Sequence, residues 1–238
     1  MEKIITQGGT FGPIQCSNSI DKVGKKSLSV EKDNLFQYKK MVTIPPLGYV
    51  DDILSVAKCG IQSLSLNSFI NAQIESKKLQ FHTPDVSGKS KCNSIHVGKQ
   101  KSACPKLKVH GENIGQVESE TYLGDIISND GKNHKTIQSR TSKGFGIISQ
   151  MIIMLEKITI DKHYFQSALL LRESLFLNSV LLNAEIWYGL NTAEIKPLID
   201  LDKYLLRKIL HTPVSTPAES LYLELGCTDI ETVIKQDE

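Results

Sequence analysis

Two adjacent carboxylates, Asp51 and Asp52, stand between two apolar runs, and this stretch constrains the chain most. Leu47, Tyr49 and Val50 precede them; Ile53, Leu54, Val56 and Ala57 follow. A buried, unpaired carboxylate costs several kcal/mol, so the pair belongs at the edge of a core. The spacing predicts a β-hairpin with the aspartates at its tip. Such a tip suits one of two roles. Asp residues favour turns because their side chains bond local backbone. Alternatively, hard oxygen donors on a rigid strand end suit Mg²⁺, which takes one or two protein carboxylates.

Length and composition set the frame. The chain has 238 residues, room for one large domain or two small ones. Its 40% apolar and 23% charged residues are those of an ordinary soluble globular chain. A net charge of +2 is too small to imply a nucleic-acid partner. The five cysteines, Cys16, Cys59, Cys92, Cys104 and Cys227, are odd in number and contain no Cys-x-x-Cys. That argues against a disulfide framework and for a reducing, intracellular compartment, cytoplasmic or nuclear. The N-terminus lacks the apolar core of a secretion signal. The longest apolar region, Leu169 to Tyr188, is interrupted by Arg172, Glu173, Asn183 and Glu185, so no membrane partner is expected.

Upstream of the carboxylates lies Gln7-Gly8-Gly9-Thr10-Phe11-Gly12-Pro13. Its paired glycines permit close backbone approach or positive φ. Ser17 or Asn18 is positioned to cap a helix through Ile20, Val23 and Leu28. Residues 29–40 form a polar connector, and Met41 to Ile44 a short strand stopped by Pro45-Pro46. A helix is expected from Ile61 to Leu79, with Ile61, Leu64, Phe69, Ile70 and Ile74 on its apolar face. A strand over Ser94–Gly98 follows.

From Val86 to Gly111 there is no acidic residue, whereas Lys89, Lys91, Lys99, Lys101, Lys106 and Lys108 all fall there. This is the footprint of a phosphate-backbone partner or a solvated loop. Cys92, His96, Cys104 and His110 do not have the spacing of a structural zinc site. Glu120 to Ser128 is expected as one strand ending in the turn Asn129-Asp130-Gly131.

Beyond Lys132 the pattern is helical. One helix carries Ile137, Phe145, Ile148, Ile152 and Leu155, with Gly144 and Gly146 as its weak point. A second is expected to open at Asp161 and run to about Tyr188, apolar all round and central to the core. Asn191 with Glu194 forms a capping box for a third. Thr216-Pro217-Ala218-Glu219 opens a fourth, stopped by Gly226.

Tyr49-Val50-Asp51-Asp52 resembles the Tyr-x-Asp-Asp box of reverse transcriptases. Gln7-Gly8-Gly9 with Phe11 resembles the segment preceding that box, the lysine-flanked strand follows it, and Tyr122-Leu123-Gly124 resembles the primer grip. The segments keep the family's order, and the resemblance spans the chain. It looks most like the non-LTR (LINE-type) retrotransposon polymerases.

The resemblance implies an α+β fold, with a partial palm at 1–130 and a helical thumb-like region at 131–238. It implies Mg²⁺-dependent nucleotidyl transfer from dNTPs onto a DNA primer along an RNA template. Asp51 and Asp52 would be catalytic metal ligands. Gln7, Gly8, Gly9, Phe11 and Tyr49 would line the template and nucleotide pocket. Lys91, or Lys89, would approach the nucleotide phosphates, and Tyr122, Leu123 and Gly124 would support the primer end. The family's first catalytic aspartate lies well before the Gln-Gly loop, and six residues precede Gln7 here. The expectation is therefore a C-terminal palm-and-thumb fragment, inactive alone. The alternative is a non-enzymatic nucleic-acid-binding or remnant protein.

Overall fold

The structure is a computed structural model, and it describes residues 36–38, 42–44, 46–49, 52–77, 81, 91–98, 105–187 and 189–236. Helices mix with small two-stranded sheets, compatible with an α+β chain. The chain divides into two compact units, Met1–Glu118 and Ser119–Glu238. The hairpin carrying Tyr122-Leu123-Gly124 thus belongs to the second unit, whereas the sequence reading grouped it with the first.

The first unit contains β1 (Phe36–Tyr38) paired antiparallel with β2 (Val42–Ile44), and β3 (Leu47–Tyr49) paired antiparallel with β4 (Asp52–Leu54). Strand β1 falls in what sequence assigned to a polar connector. The apolar alternation of Phe36 and Tyr38 is its one signal. Helix α1 (Gly60–Ser76) follows.

Its buried residues are Leu66, Ile70 and Ile74, four apart and therefore stacked on one face. Ile53, Phe69 and Phe81 pack against them. Ile61 and Leu64, expected on the apolar face, are 78% and 43% exposed. Ile61 lies about 140° around the helix from Leu66, so the stripe through Leu66 leaves it in solvent.

The expected strand over Ser94–Gly98 shrinks to β5 (Asn93–Ser94). It runs parallel to β8 (Gly115–Gln116), and β6 (Lys108–Val109) pairs with β7 (Glu112–Asn113) across a His110-Gly111 turn. Asn67 and Asn71 of α1 both donate to the Lys108 carbonyl, at 2.7 and 2.8 Å, which ties helix to hairpin.

The second unit starts with β9 (Ser119–Tyr122) and β10 (Asp125–Ser128), an antiparallel hairpin rather than the single strand expected. Leu123 and Gly124 have φ of 48° and 91°. Positive φ at both central residues is the signature of a type I′ hairpin turn. A leucine at the first such position gives no sequence warning of it.

Helix α2 (His134–Leu155) crosses α5 (Thr192–Leu210) at Gly144, where a methyl group would collide with Leu201. Gly144 is therefore a point of close packing and not the weak point expected from propensity. Asp161 caps α3 (Lys162–Leu171) as expected, accepting from the His163 and Tyr164 N–H groups at 2.7 and 3.1 Å.

The same helix continues as a π-helical segment, Arg172–Leu177, and as α4, Asn178–Val180. It ends there and not near Tyr188, because Asn183 turns left-handed at φ 63°. Nor is it apolar-buried all round: Leu170 is 64% exposed. Its apolar residues come in triplets, and three consecutive residues at 100° each span most of a helix, so one of them faces outward.

Helix α5 carries the capping box in full: Glu194 N–H to Asn191 Oδ1 at 3.0 Å, and Asn191 N–H to Glu194 Oε2 at 3.1 Å. Helix α6 (Ala218–Leu225) ends at Gly226 in the left-handed region, with the Cys227 N–H donating to the Tyr222 carbonyl. Helix α7 (Ile230–Gln236) was not foreseen; Asp229 caps it through the Thr232 N–H and hydroxyl.

The core of this unit includes Met151, Phe176, Leu198, Leu205, Leu206 and Leu221. A bidentate ion pair crosses it. Arg172 donates to both Asp202 oxygens at 2.8 Å, with 2% and 0% side-chain exposure.

Candidate functional site

The carboxylate hairpin forms. Tyr49 stands opposite Asp52, Gly48 opposite Ile53 and Leu47 opposite Leu54. Only Val50 and Asp51 join the strands, and both lie outside the described residues. Ile53 anchors the hairpin on α1, while Tyr49 and Asp52 are exposed at its end. An exposed carboxylate has no burial penalty to offset, so Asp52 is open to a cation. Hard oxygen on a strand end fits Mg²⁺, which keeps several waters beside one or two protein carboxylates. Among the described residues no group of three or more His, Cys, Asp or Glu converges as a metal cage.

Gln7, Gly8, Gly9, Phe11 and Lys89 lie outside the described residues. Lys91 is exposed just before β5. Of the zinc-like set, Cys104 is outside them, and His110 is engaged. Its Nε2 accepts from the Phe81 N–H at 3.4 Å, and its Nδ1 lies 3.4 Å from Glu75.

Tyr122, Leu123 and Gly124 meet at the β9–β10 turn of the second unit. Tyr122 pairs with Asp125, and Leu123 is 42% exposed at the tip. What holds this tip is a buried polar cluster that sequence reasoning missed. Asp125 is only 8% exposed. Asn183 donates to its Oδ2 at 2.6 Å, and Arg140 and Trp187 donate to its Oδ1 at 3.3 and 3.4 Å. Arg140 also donates to the Gly124 carbonyl at 3.0 Å and Asn183 to the Leu123 carbonyl at 3.1 Å. The turn backbone is therefore fixed from α2 on one side and from the segment after α4 on the other. These partners are 15 to 62 residues apart, beyond any local periodicity.

Charge separates the units. The first has sixteen lysines against ten carboxylates; the second has twelve lysines and arginines against sixteen. Any polyanion is favoured by the first and opposed by the second.

No family model, no curated protein and no solved structure matches the chain.

Proposed function

We propose that this chain is part of an RNA-directed DNA polymerase of the non-LTR retrotransposon type. The observation that supports this reading is the hairpin in which Asp52 opposes Tyr49, at a box reading Tyr-Val-Asp-Asp. Asp51 and Asp52 would hold Mg²⁺, which in the parent reaction neutralises charge on the attacking and leaving oxygens. Under this reading Lys91 would approach the nucleotide phosphates, Gln7, Gly8, Gly9, Phe11 and Tyr49 would line the template and nucleotide side, and the Tyr122–Gly124 turn would support the primer end. Under the same reading the helices after that turn would correspond to the family's thumb.

The two-metal site of the family takes a further aspartate that none of the four matching segments carries. For the chain alone we therefore expect binding of a primed RNA template without extension. Labelled dNTP incorporation in Mg²⁺, with Asp52→Asn as control, tests this. Incorporation lost in Asp52→Asn makes the chain an active enzyme. Binding without incorporation fits a polymerase segment. Neither binding nor incorporation overturns the reading.

The exposed Lys91, Lys106 and Lys108, in a unit with excess positive charge, favour a second reading as a non-enzymatic nucleic-acid-binding protein. Under that reading Asp52→Asn leaves template binding unchanged, with or without Mg²⁺.

A further inference from the structure

The β9–β10 turn is locked to a second turn sixty residues away. Leu123 and Asn183 both hold left-handed backbone, at φ 48° and 63°, a region that a bulky residue such as leucine seldom occupies. One amide group joins the two turns. Asn183 Nδ2 donates to the Leu123 carbonyl at 3.1 Å and to the Asp125 carboxylate at 2.6 Å, which uses both of its hydrogens. From the other side Arg140, 3% exposed, donates to the Gly124 carbonyl and to Asp125. Backbone strain persists only where the surroundings over-determine it, and such strain gathers at functional sites.

What the lock presents to solvent is apolar. Leu123 is 42% exposed, and Leu182, the residue before Asn183, is 47% exposed. A side chain at Gly124 would start 3.7 Å from Leu182 Cδ2, so the glycine leaves room for Leu182 beside the turn. The two leucines therefore flank Gly124, one from the turn itself and one from the segment after α4. Leu182, Asn183 and Arg140 lie outside every stretch that resembles the polymerase family.

We propose that Leu182 is a second contact residue for the primer end, beside Leu123, and that Asn183 and Arg140 are positioning residues that hold the turn for it. The assignment rests on the polymerase reading of the Tyr122–Gly124 turn. The group recognised is a sugar and not a phosphate: the two leucines meet the deoxyribose ring of the terminal nucleotide. A unit with sixteen carboxylates against twelve lysines and arginines opposes added phosphate contacts. An apolar contact of this kind releases no counterions, so its contribution does not fall with salt as a phosphate contact does.

Fluorescence anisotropy of the full chain tests it on an RNA template carrying a DNA primer with a free 3′ end. The comparison is the same duplex with that end closed by a loop, so that charge is matched, each at low and at high salt. The wild-type chain should prefer the free end. Leu182→Ala should lower that preference about fivefold, by the same factor at both salts. Asn183→Gly keeps the left-handed backbone, removes both donors and should lower it about tenfold. Gly144→Ala, which strains the α2–α5 crossing, and Leu223→Ala, 82% exposed on α6, should leave it unchanged. Equal wild-type binding of the two duplexes, insensitivity to Leu182→Ala, or an equal loss in Gly144→Ala overturns the proposal and leaves the polymerase reading standing. No wild-type binding of either duplex overturns both. Should Asn183→Gly fail to fold by circular dichroism, Leu182→Ala decides.

Discussion

Gly144 on α2 lies against Leu201 on α5 so closely that no side chain fits between them. A Cβ at 144 would overlap Leu201 Cδ2 and come within 3.1 Å of Val180 Cγ2. Leu201 is 1% exposed and has nowhere to retreat. Overpacking of this kind costs about 1–3 kcal/mol, more than the roughly 1 kcal/mol that alanine gains over glycine in a helix. Gly144→Ala should therefore lower the urea midpoint. Gly146→Ala, two residues on and facing open space, should raise it. Both moving the same way would show that the helices do not pack at Gly144.

The buried Arg172–Asp202 pair gives a second prediction. Arg172 also donates to the Thr228 carbonyl at 2.9 Å, and the Tyr222 hydroxyl donates to Asp202 at 3.1 Å. Asp202→Ala leaves a buried guanidinium unpaired and should destabilise by about 3–5 kcal/mol. The double change Arg172→Met with Asp202→Leu removes both charges and should cost far less than the single one. Chemical denaturation monitored by circular dichroism compares them.

Alkaline pH should weaken the second unit. Burial pushes the Tyr222 hydroxyl up, with the Asp202 charge adding to it, and burial likewise raises Tyr164 and the Cys227 thiol. Each raised group favours its neutral form in the fold. Its contribution is complete below the ordinary value, 9.0 for Cys and 10.0 for Tyr, and is lost as pH rises above it. Stability should fall from about pH 9 upward, and Tyr222→Phe should flatten that fall. A flat profile to pH 11 would show these groups exposed.

Leu123 holds a left-handed conformation that costs a branched residue roughly 1–2 kcal/mol. Leu123→Asn places Asn-Gly, the favoured type I′ pair, at the turn and should stabilise by about 0.5–1 kcal/mol. If Leu123 supports a primer end, the same variant should bind a primed template less well. Gain of stability with unchanged binding would leave Leu123 a turn residue only.

Nucleic-acid binding, where it occurs, should be carried by the lysine-rich stretch of the first unit. Affinity should fall with salt at a slope of about −0.7 per phosphate contact on single strands. Replacing Lys99, Lys101, Lys106 and Lys108 by Gln should flatten the slope. Fluorescence anisotropy across a salt series reads it directly. An unchanged slope would assign the stretch to a solvated loop.

What the sequence determined by itself was local. The Asp161 cap, the Asn191–Glu194 box, the Gly226 stop and the Asp52 hairpin were all legible, because each rests on groups a few residues apart. Tertiary structure decided the rest. It bent Glu120–Ser128 into a hairpin, since Leu123 carries no turn signal and its backbone is held by Asn183, sixty residues away. It made Gly144 a contact point, because only α5 supplies Leu201. It paired Asp125 with Arg140 and Arg172 with Asp202, since a buried charge must find a partner wherever the chain brings one. Hydrogen bonds within a turn are encoded by spacing; those across a core are encoded by packing, which spacing does not reveal.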